Sequence, residues 1–126
     1  MNMKKLIGLV AAGAMMSGSV YADAIGYVTK SGTNAGWMMI NQGAADAASE
    51  AGVDLITVGP SFQGDLSSQL EVFENLLAQG VKAIGIAPVD SSGIAPAVND
   101  AMEAGVAVVA IDTGVNGADV TSFVAT

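Results

Sequence analysis

The sequence predicts an α/β fold: a doubly wound, three-layer parallel sheet in the order β-α-β-α-β-α-β. Three segments carry one pattern, in which a glycine ends a helix and a short run rich in β-branched residues follows. The glycines are Gly52, Gly80 and Gly105, spaced 28 and 25 residues apart, which suits one helix–strand unit. Glycine favours the left-handed backbone that closes a helix, and a continuous apolar run is typical of a strand buried on both faces.

Short apolar runs bounded by polar turns predict the strands. The first is Ile25–Val28, which stops abruptly at a polar turn. The next three are Asp54–Val58, Lys82–Ala87 and Ala107–Ile111, and Ser122–Ala125 opens a fifth. Short crossovers between parallel strands favour a doubly wound arrangement over other α/β topologies.

The segments between the strands show the 3.6-residue period of helices with one apolar face. The first helix begins near Trp37, the second after an N-cap at Asp65, and the third after an N-cap at Ser92. Pro96 lies in the first turn of the third helix, where proline is tolerated. We expect Gln69 on the surface of the second helix. The expected inward residues are, helix by helix, Trp37, Ile40, Ala44, Ala48 and Ala51; Leu66, Leu70, Phe73 and Leu77; and Ile94, Ala97, Val98, Ala101 and Met102.

Residues 1–22 have the layout of a secretory signal peptide. Lys4 and Lys5 precede the apolar run Leu6–Met16, and a small, mildly polar segment follows. A membrane anchor is the alternative, but a spanning helix needs roughly 20 apolar residues and this run is about half that length. We therefore expect export to the periplasm, cleavage after residue 22 in preference to residue 24, and one domain at 23–126.

The composition narrows the possible partners and cofactors. Without residues 1–22 the chain has two Lys, no Arg and twelve Asp or Glu, a formal charge of −10. Such a surface repels nucleic acid and anionic membranes, so we expect no nucleic-acid partner and no membrane insertion after signal cleavage. The sequence holds no Cys and no His, which excludes disulfides, histidine-dependent triads and the usual zinc sites. We expect no metal and no cofactor.

Polar side chains follow the predicted strands at their carboxyl ends, where open parallel sheets bind ligands. The candidate ligand-binding residues carry hydroxyl, amide, carboxylate and indole groups. A carboxylate can accept hydrogen bonds from two adjacent hydroxyls, and a few polar groups in an apolar cleft give orientation and specificity. The sequence therefore predicts a site for a neutral, polyhydroxylated ligand. The candidates are Ser31, Asn34, Trp37, Asp90, Asp112 and Thr113.

Each candidate also has a structural interpretation that the sequence leaves open. Asn34 is suited to cap the first helix, and Trp37 fits the buried stripe of that helix. Asp90 and Asp112 are both typical of turns. Lys30, in the same loop as Asn34, is expected to be solvated rather than to bind ligand.

Two enzymatic alternatives rest on weaker signals. Asp90 and Asp112 could approach each other as a carboxylate pair and act on glycans. The loop Thr29–Asn34 faintly resembles the phosphate loop of flavodoxins, because it too follows the first strand and its backbone N–H groups could hold a phosphate. The motifs G-x-S-x-G, G-x-x-x-x-G-K-[ST] and G-x-G-x-x-G are missing from the sequence. We therefore predict a binding protein and no catalytic residues.

Over residues 24–126 the chain resembles the amino-terminal lobe of type I periplasmic binding proteins. These are the ribose-binding-like, sugar-binding substrate-binding components of ABC transporters. The motifs are specific together and weak singly. They are Ile25–Val28 followed by Trp37, Gly43-Ala44, Gly80–Ile84, Ile86–Asp90 and Val108–Thr113.

The resemblance implies two lobes that close over one sugar, an ABC permease as docking partner and, for some members, a chemoreceptor. Asn34 and Trp37 match the loop positions that bind and stack on the sugar. Asp112 matches the acidic or amide residue that holds sugar hydroxyls. Thr113 stands where many ribose and glucose binders have Arg or Lys, and Gly36 where ribose binders have a further aromatic residue. The resemblance therefore does not imply which sugar is bound.

Members of this family are considerably longer than this chain, and the second lobe and hinge have no counterpart in the sequence. We therefore expect an incomplete first lobe. Such a lobe should bind sugar weakly, because half of the cleft is missing, and should expose part of an apolar sheet face.

Overall fold

A computed structural model of the chain describes residues 21–125, so almost all of the predicted signal peptide, residues 1–22, lies outside the described residues. The elements are β1 (Ile25–Val28), α1 (Ala35–Ala51), β2 (Leu55–Val58), α2 (Leu66–Ala78), β3 (Ala83–Ile86), α3 (Ala95–Glu103), β4 (Ala107–Ile111) and β5 (Ser122–Val124). The five strands form one sheet in the spatial order β2-β1-β3-β4-β5, and every neighbouring pair is parallel. The predicted α/β class and parallel sheet are confirmed.

Helices cover both faces of this sheet, as the doubly wound prediction requires. Side chains alternate between the faces of a strand, so neighbours along β1 point to opposite layers. A Cβ atom at Gly26 would lie 2.7 Å from Leu76 Cδ1, which places this face of β1 against α2. Ile25 and Tyr27 instead line a groove with the alanines of α1. The molecule therefore has three layers, with α1 on one face and α2 and α3 on the other.

The hydrophobic core lies between the sheet and the layer of α2 and α3. Its members are large aliphatic and aromatic side chains that are removed almost completely from water, and such burial is the main stabilising term in folding. They include Val28, Phe73, Leu76, Ile84, Ile86, Ile94, Val98 and Val108.

The opposite face is covered only in part, because α1 presents mostly alanine to the sheet. Trp37 is the one buried residue of α1, and the prediction that Ile40 faces the core is wrong, since Ile40 is 45% exposed. Short alanine side chains leave a groove of about 310 Å³ between α1 and the sheet. Val124, on the edge strand β5, is also exposed. The exposed apolar face expected from the sequence is present.

The helix ends follow local side-chain chemistry. Asp65 caps α2 as predicted, because its Oδ1 accepts a hydrogen bond from Ser68 N at 3.1 Å. The predicted cap at Ser92 is wrong: α3 begins at Ala95, and its N-cap residue, Ile94, makes no capping hydrogen bond through its side chain. The turn before α3 is instead held by Asp90, since one aspartate oxygen can satisfy two successive backbone N–H groups.

Gln69 corrects the predicted surface of α2. The side chain is fully buried, at 0% exposure, and the buried residues of this helix are Gln69, Phe73 and Leu76. The sequence pattern favoured Leu66, Leu70, Phe73 and Leu77, because an amide is ordinarily left outside a core. Its burial requires hydrogen-bond partners at the sheet edge.

No helix within residues 21–125 has the length and apolar character needed to cross a bilayer.

Substituting Gly26 with alanine tests the close approach of β1 and α2. The new methyl group would meet Leu76 in a filled core, so we expect the free energy of unfolding to fall by about 1–3 kcal/mol. Urea unfolding followed by circular dichroism measures the change. Gly43→Ala is the matched control, because Gly43 lies in α1 and an added Cβ there would point into open space. It should raise stability by about 0.5–1 kcal/mol. Equal effects of the two substitutions would contradict the packing described.

Candidate functional site

Lys30 joins the loop after β1 to the end of β4. Its Nζ lies 2.9 Å from Asp112 Oδ2 and 2.7 Å from Thr113 Oγ1. The same ammonium lies 5.4 Å from the centre of the Trp37 ring, within the range of a cation–π contact. The expectation that Lys30 is solvated is wrong, since only 18% of its side chain is exposed. These four residues, Lys30, Trp37, Asp112 and Thr113, form the edge cluster.

Asp112 adopts a backbone conformation that is rare for any residue with a side chain. Its φ is +66°, and Thr113 N donates to Ile111 O at 2.7 Å, an i→i+2 bond that makes Asp112 the centre of a classic γ-turn. Strained turns of this kind occur preferentially at functional sites. Asp112 N donates to Val124 O at 2.8 Å, so pairing with the neighbouring strand helps to hold the turn.

The Asp112 carboxylate is half exposed and only partly used. Oδ2 accepts from Lys30 Nζ and from Thr113 Oγ1 at 3.0 Å, whereas Oδ1 accepts no hydrogen bond from residues 21–125. The hydrogen bond from Lys30, and then that from Thr113, lowers the pKa of Asp112 below its ordinary value. The carboxylate is therefore ionised at neutral pH and can accept a further hydrogen bond through Oδ1.

The loop after β1 is held by its own side chains. Ser31 is buried, and its Oγ accepts from Thr33 N at 3.2 Å and from Asn34 N at 3.0 Å. Asn34 caps α1, because its Oδ1 accepts from Gly36 N and Trp37 N. These backbone N–H groups are the ones that a phosphate would need. Their internal partners argue against the flavodoxin-like phosphate site.

Trp37 lies in the first turn of α1 and is 9% exposed. The cap at Asn34 fixes the start of the helix, and the helix then carries the indole toward Lys30. Both sequence interpretations therefore describe part of its environment: Trp37 is buried, and it lines the cluster in which a ligand was expected.

The hydrogen bonds of Asp90 do not involve the edge cluster. Its Oδ1 accepts from Ser92 N at 2.9 Å and from Gly93 N at 2.6 Å, and the residue is exposed. The structure thus joins Trp37, Asp112 and Thr113 through Lys30, and it uses the polar side chains of Ser31, Asn34 and Asp90 to shape loops. The ligand-binding roles assigned to all six candidates stay predictions.

Sequence reasoning missed Lys30, although its position carried a signal. Lys30 follows strand β1 by two residues, and Asp112 directly follows β4. Two strands of a parallel sheet end at one edge, so opposite charges at those ends can meet. That β1 and β4 are separated by β3 alone became clear only from the strand order. Within residues 21–125, no three acidic side chains come close enough to hold a metal ion.

Residues 25–126 match the periplasmic binding protein domain family. The chain belongs to this family. The resemblance inferred from the sequence is therefore confirmed.

Two relatives of this periplasmic binding protein domain have names that state their ligands. The chain is 31% identical to the D-allose-binding periplasmic protein of Escherichia coli over 122 residues, which are 90% of this chain and 39% of that protein. It is 35% identical to the ribose import binding protein of Bacillus subtilis over 109 residues, which are 86% of this chain and 35% of that protein. The chain thus spans well under half the length of these curated relatives.

Solved structures give the same fold assignment. A sugar transport periplasmic component from Hahella chejuensis superposes with a TM-score of 0.77 at 29% identity, over 81% of this chain and 37% of that chain. A carbohydrate transporter solute binding protein from Agrobacterium radiobacter, in complex with D-arabinose, superposes with a TM-score of 0.76 at 26% identity. That match covers 85% of this chain and 36% of the other.

Removing the Lys30 ammonium should raise the pKa of Asp112. In Lys30→Met the carboxylate loses its strongest hydrogen bond, so its pKa should return toward the ordinary value. Carbon-13 NMR of the Asp112 side chain between pH 2 and 7 measures this directly. Lys82→Met is the matched control, since Lys82 is exposed and should leave Asp112 unchanged. An unaltered Asp112 pKa in Lys30→Met would contradict the contact.

The same pair should make stability depend on pH in a defined direction. Because folding lowers the pKa of Asp112, the pair stabilises the fold above the unfolded-state pKa, and this is lost as pH falls through the folded-state pKa. We expect Lys30→Met to cost roughly 0.2–1 kcal/mol at pH 7, as exposed ion pairs do. The cost should vanish once Asp112 is protonated. Urea unfolding of both proteins at pH 7 and at successively lower pH checks this, and a cost that grows on acidification would refute it.

Proposed function

We propose that this chain forms the first lobe of a periplasmic binding protein that captures a neutral monosaccharide or related polyol for uptake by an ABC transporter. The observation that carries the proposal is the meeting of an ammonium, a carboxylate, a hydroxyl and an indole in the edge cluster. Relatives that are named for D-allose and ribose, and a structural neighbour with D-arabinose, support the same ligand class.

The edge cluster has the hydrogen-bonding groups that a sugar needs. Lys30 has three N–H donors, of which two serve Asp112 and Thr113, so one is left for a ligand hydroxyl. Asp112 Oδ1 accepts a second hydroxyl, and the indole of Trp37 provides an apolar wall. The charges of Lys30 and Asp112 cancel, which favours an uncharged ligand.

Lys30 also accounts for the absence of a cationic side chain at position 113. The resemblance places Thr113 where many ribose and glucose binders have Arg or Lys, and here Lys30 Nζ lies 2.7 Å from Thr113 Oγ1. We infer that the cation reaches the same place from the loop after β1. The polar environment of the ligand is then kept with a different residue.

The remaining candidates act in two ways. Asn34 caps α1 through Oδ1, while its Nδ2 has no hydrogen-bond partner among residues 21–125 and is available to a ligand. Ser31 and Asp90 contribute by holding the loops after β1 and β3 in shape. We therefore place Asn34 beside the edge cluster in the ligand set.

We also propose a cellular location and binding partners for the protein. Residues 1–22 act as a signal peptide, the mature protein is periplasmic, and its partners are an ABC permease and, as for some relatives, a chemoreceptor. The formal charge of −10 without those residues argues against nucleic-acid partners.

No catalysis is proposed. A glycosidase pair needs a second carboxyl group free to act with Asp112, whereas Oδ1 of Asp90 accepts from Ser92 N and Gly93 N and serves the turn before α3.

Trp37 allows a direct test of binding, because it is the only tryptophan of the chain and lies in the edge cluster. We expect D-allose, D-ribose or myo-inositol to change its fluorescence with a millimolar dissociation constant, since one lobe supplies half of a cleft. Asp112→Asn should weaken binding about tenfold, the usual cost of losing a hydrogen bond to a charged group. Asp119→Asn, an exposed carboxylate outside the edge cluster, is the control and should bind like the parent protein. The proposal fails if all three sugars leave the fluorescence unchanged, or if both variants lose affinity equally.

A further inference from the structure

We propose that Gln69 is a positioning residue of the sugar site, whose buried amide holds the loops after β1 and β3 and thereby places Lys30. The part of this inference that concerns sugar rests on the proposed function. The part that concerns the loops rests on hydrogen bonds within the chain.

The side chain of Gln69 is fully buried, and both ends of its amide are used. Nε2 donates to Ala87 O at 2.8 Å and to Thr29 O at 3.4 Å, and Oε1 accepts from Val89 N at 2.9 Å. A leucine at this position of α2 would fill the core without needing partners. A fully satisfied buried amide instead fixes a single arrangement of the groups that it joins.

The Gln69 amide provides hydrogen bonds just beyond the point at which the pairing of β1 with β3 ends. The pairing of β1 with β3 ends at Val28 and Ile86, and Ala87 N then donates to Val28 O. The next two carbonyl groups along this edge, at Thr29 and Ala87, bond to Gln69 instead of to a neighbouring strand. The amide therefore lies where β1 and β3 end and the loops that follow them begin.

The loop after β1 begins at Thr29, whose carbonyl oxygen accepts a hydrogen bond from Gln69. Lys30 follows Thr29 directly, and its side chain extends across to Asp112 and Thr113. A lysine side chain has a limited reach, so a shift of the backbone at Thr29 would change how well Nζ can meet both partners. Gln69 has no contact with the edge cluster and acts on it only through Thr29.

The test compares two variants of α2 in the full 126-residue chain without sugar. Gln69→Met keeps the volume of the side chain and removes all three hydrogen bonds. Phe73→Leu alters a buried residue one turn further along the same helix face, with no bond to either loop. Both variants should unfold at lower urea concentration, so stability alone does not distinguish a positioning role from a structural one.

The ionisation of Asp112 does distinguish them. If Gln69 places Lys30, the pKa of Asp112 measured by carbon-13 NMR should rise in folded Gln69→Met, in the direction expected for Lys30→Met. It should stay at the parent value in Phe73→Leu. An unchanged value in folded Gln69→Met would overturn the proposal, and so would an equal rise in both variants.

Hydrogen exchange tests the same inference without a substitution, should Gln69→Met fail to fold. The Val89 amide lies in a loop, yet it donates to a buried oxygen. It should therefore exchange as slowly as the amide of Ile84 in the central strand β3, and exchange at the rate of an exposed loop amide would refute the contact. Because neither measurement uses sugar, their failure is separate from a failure of the proposed function. With D-allose, folded Gln69→Met should lose as much affinity as Lys30→Met, and unchanged affinity would contradict the positioning role.

Discussion

The site depends on one electrostatic contact between the ends of two strands that are not neighbours. Lys30 leaves the loop after β1 and reaches Asp112 and Thr113 after β4, while its ammonium lies over Trp37. Parallel strands make this possible, because they deliver their carboxyl ends to one edge. Without that contact the polar groups of the edge would belong to separate loops rather than to one site.

Several local features place the two charges. Asp112 is the centre of a strained turn that pairing with β5 helps to hold, and the Asn34 cap sets where α1 and Trp37 begin. Gln69 holds the backbone immediately before Lys30. The edge cluster is therefore supported by residues that do not belong to it, and most of them bond to backbone groups.

The sequence predicted the strands well because each is a short apolar run that follows a helix-ending glycine or stops at a polar turn. It failed at Ile40, which is exposed although it fits the apolar period of α1. It also failed at Ser92, which was expected to cap α3, because Asp90 holds the turn before that helix and α3 begins only at Ala95. Lys30 and Gln69 could not be predicted from spacing. The contact of Lys30 with Asp112 depends on strand order, and the hydrogen bonds of Gln69 depend on backbone carbonyls that lie beyond the pairing of β1 with β3. Both are properties of the whole fold.

A crystal structure of the full chain soaked with D-allose shows whether a sugar binds where Lys30, Trp37 and Asp112 meet. We expect sugar density in the edge cluster, with one hydroxyl within hydrogen-bond distance of Asp112 Oδ1 and another of Lys30 Nζ. Sugar in the groove beneath α1, with the edge cluster unoccupied in the same crystal, would contradict it.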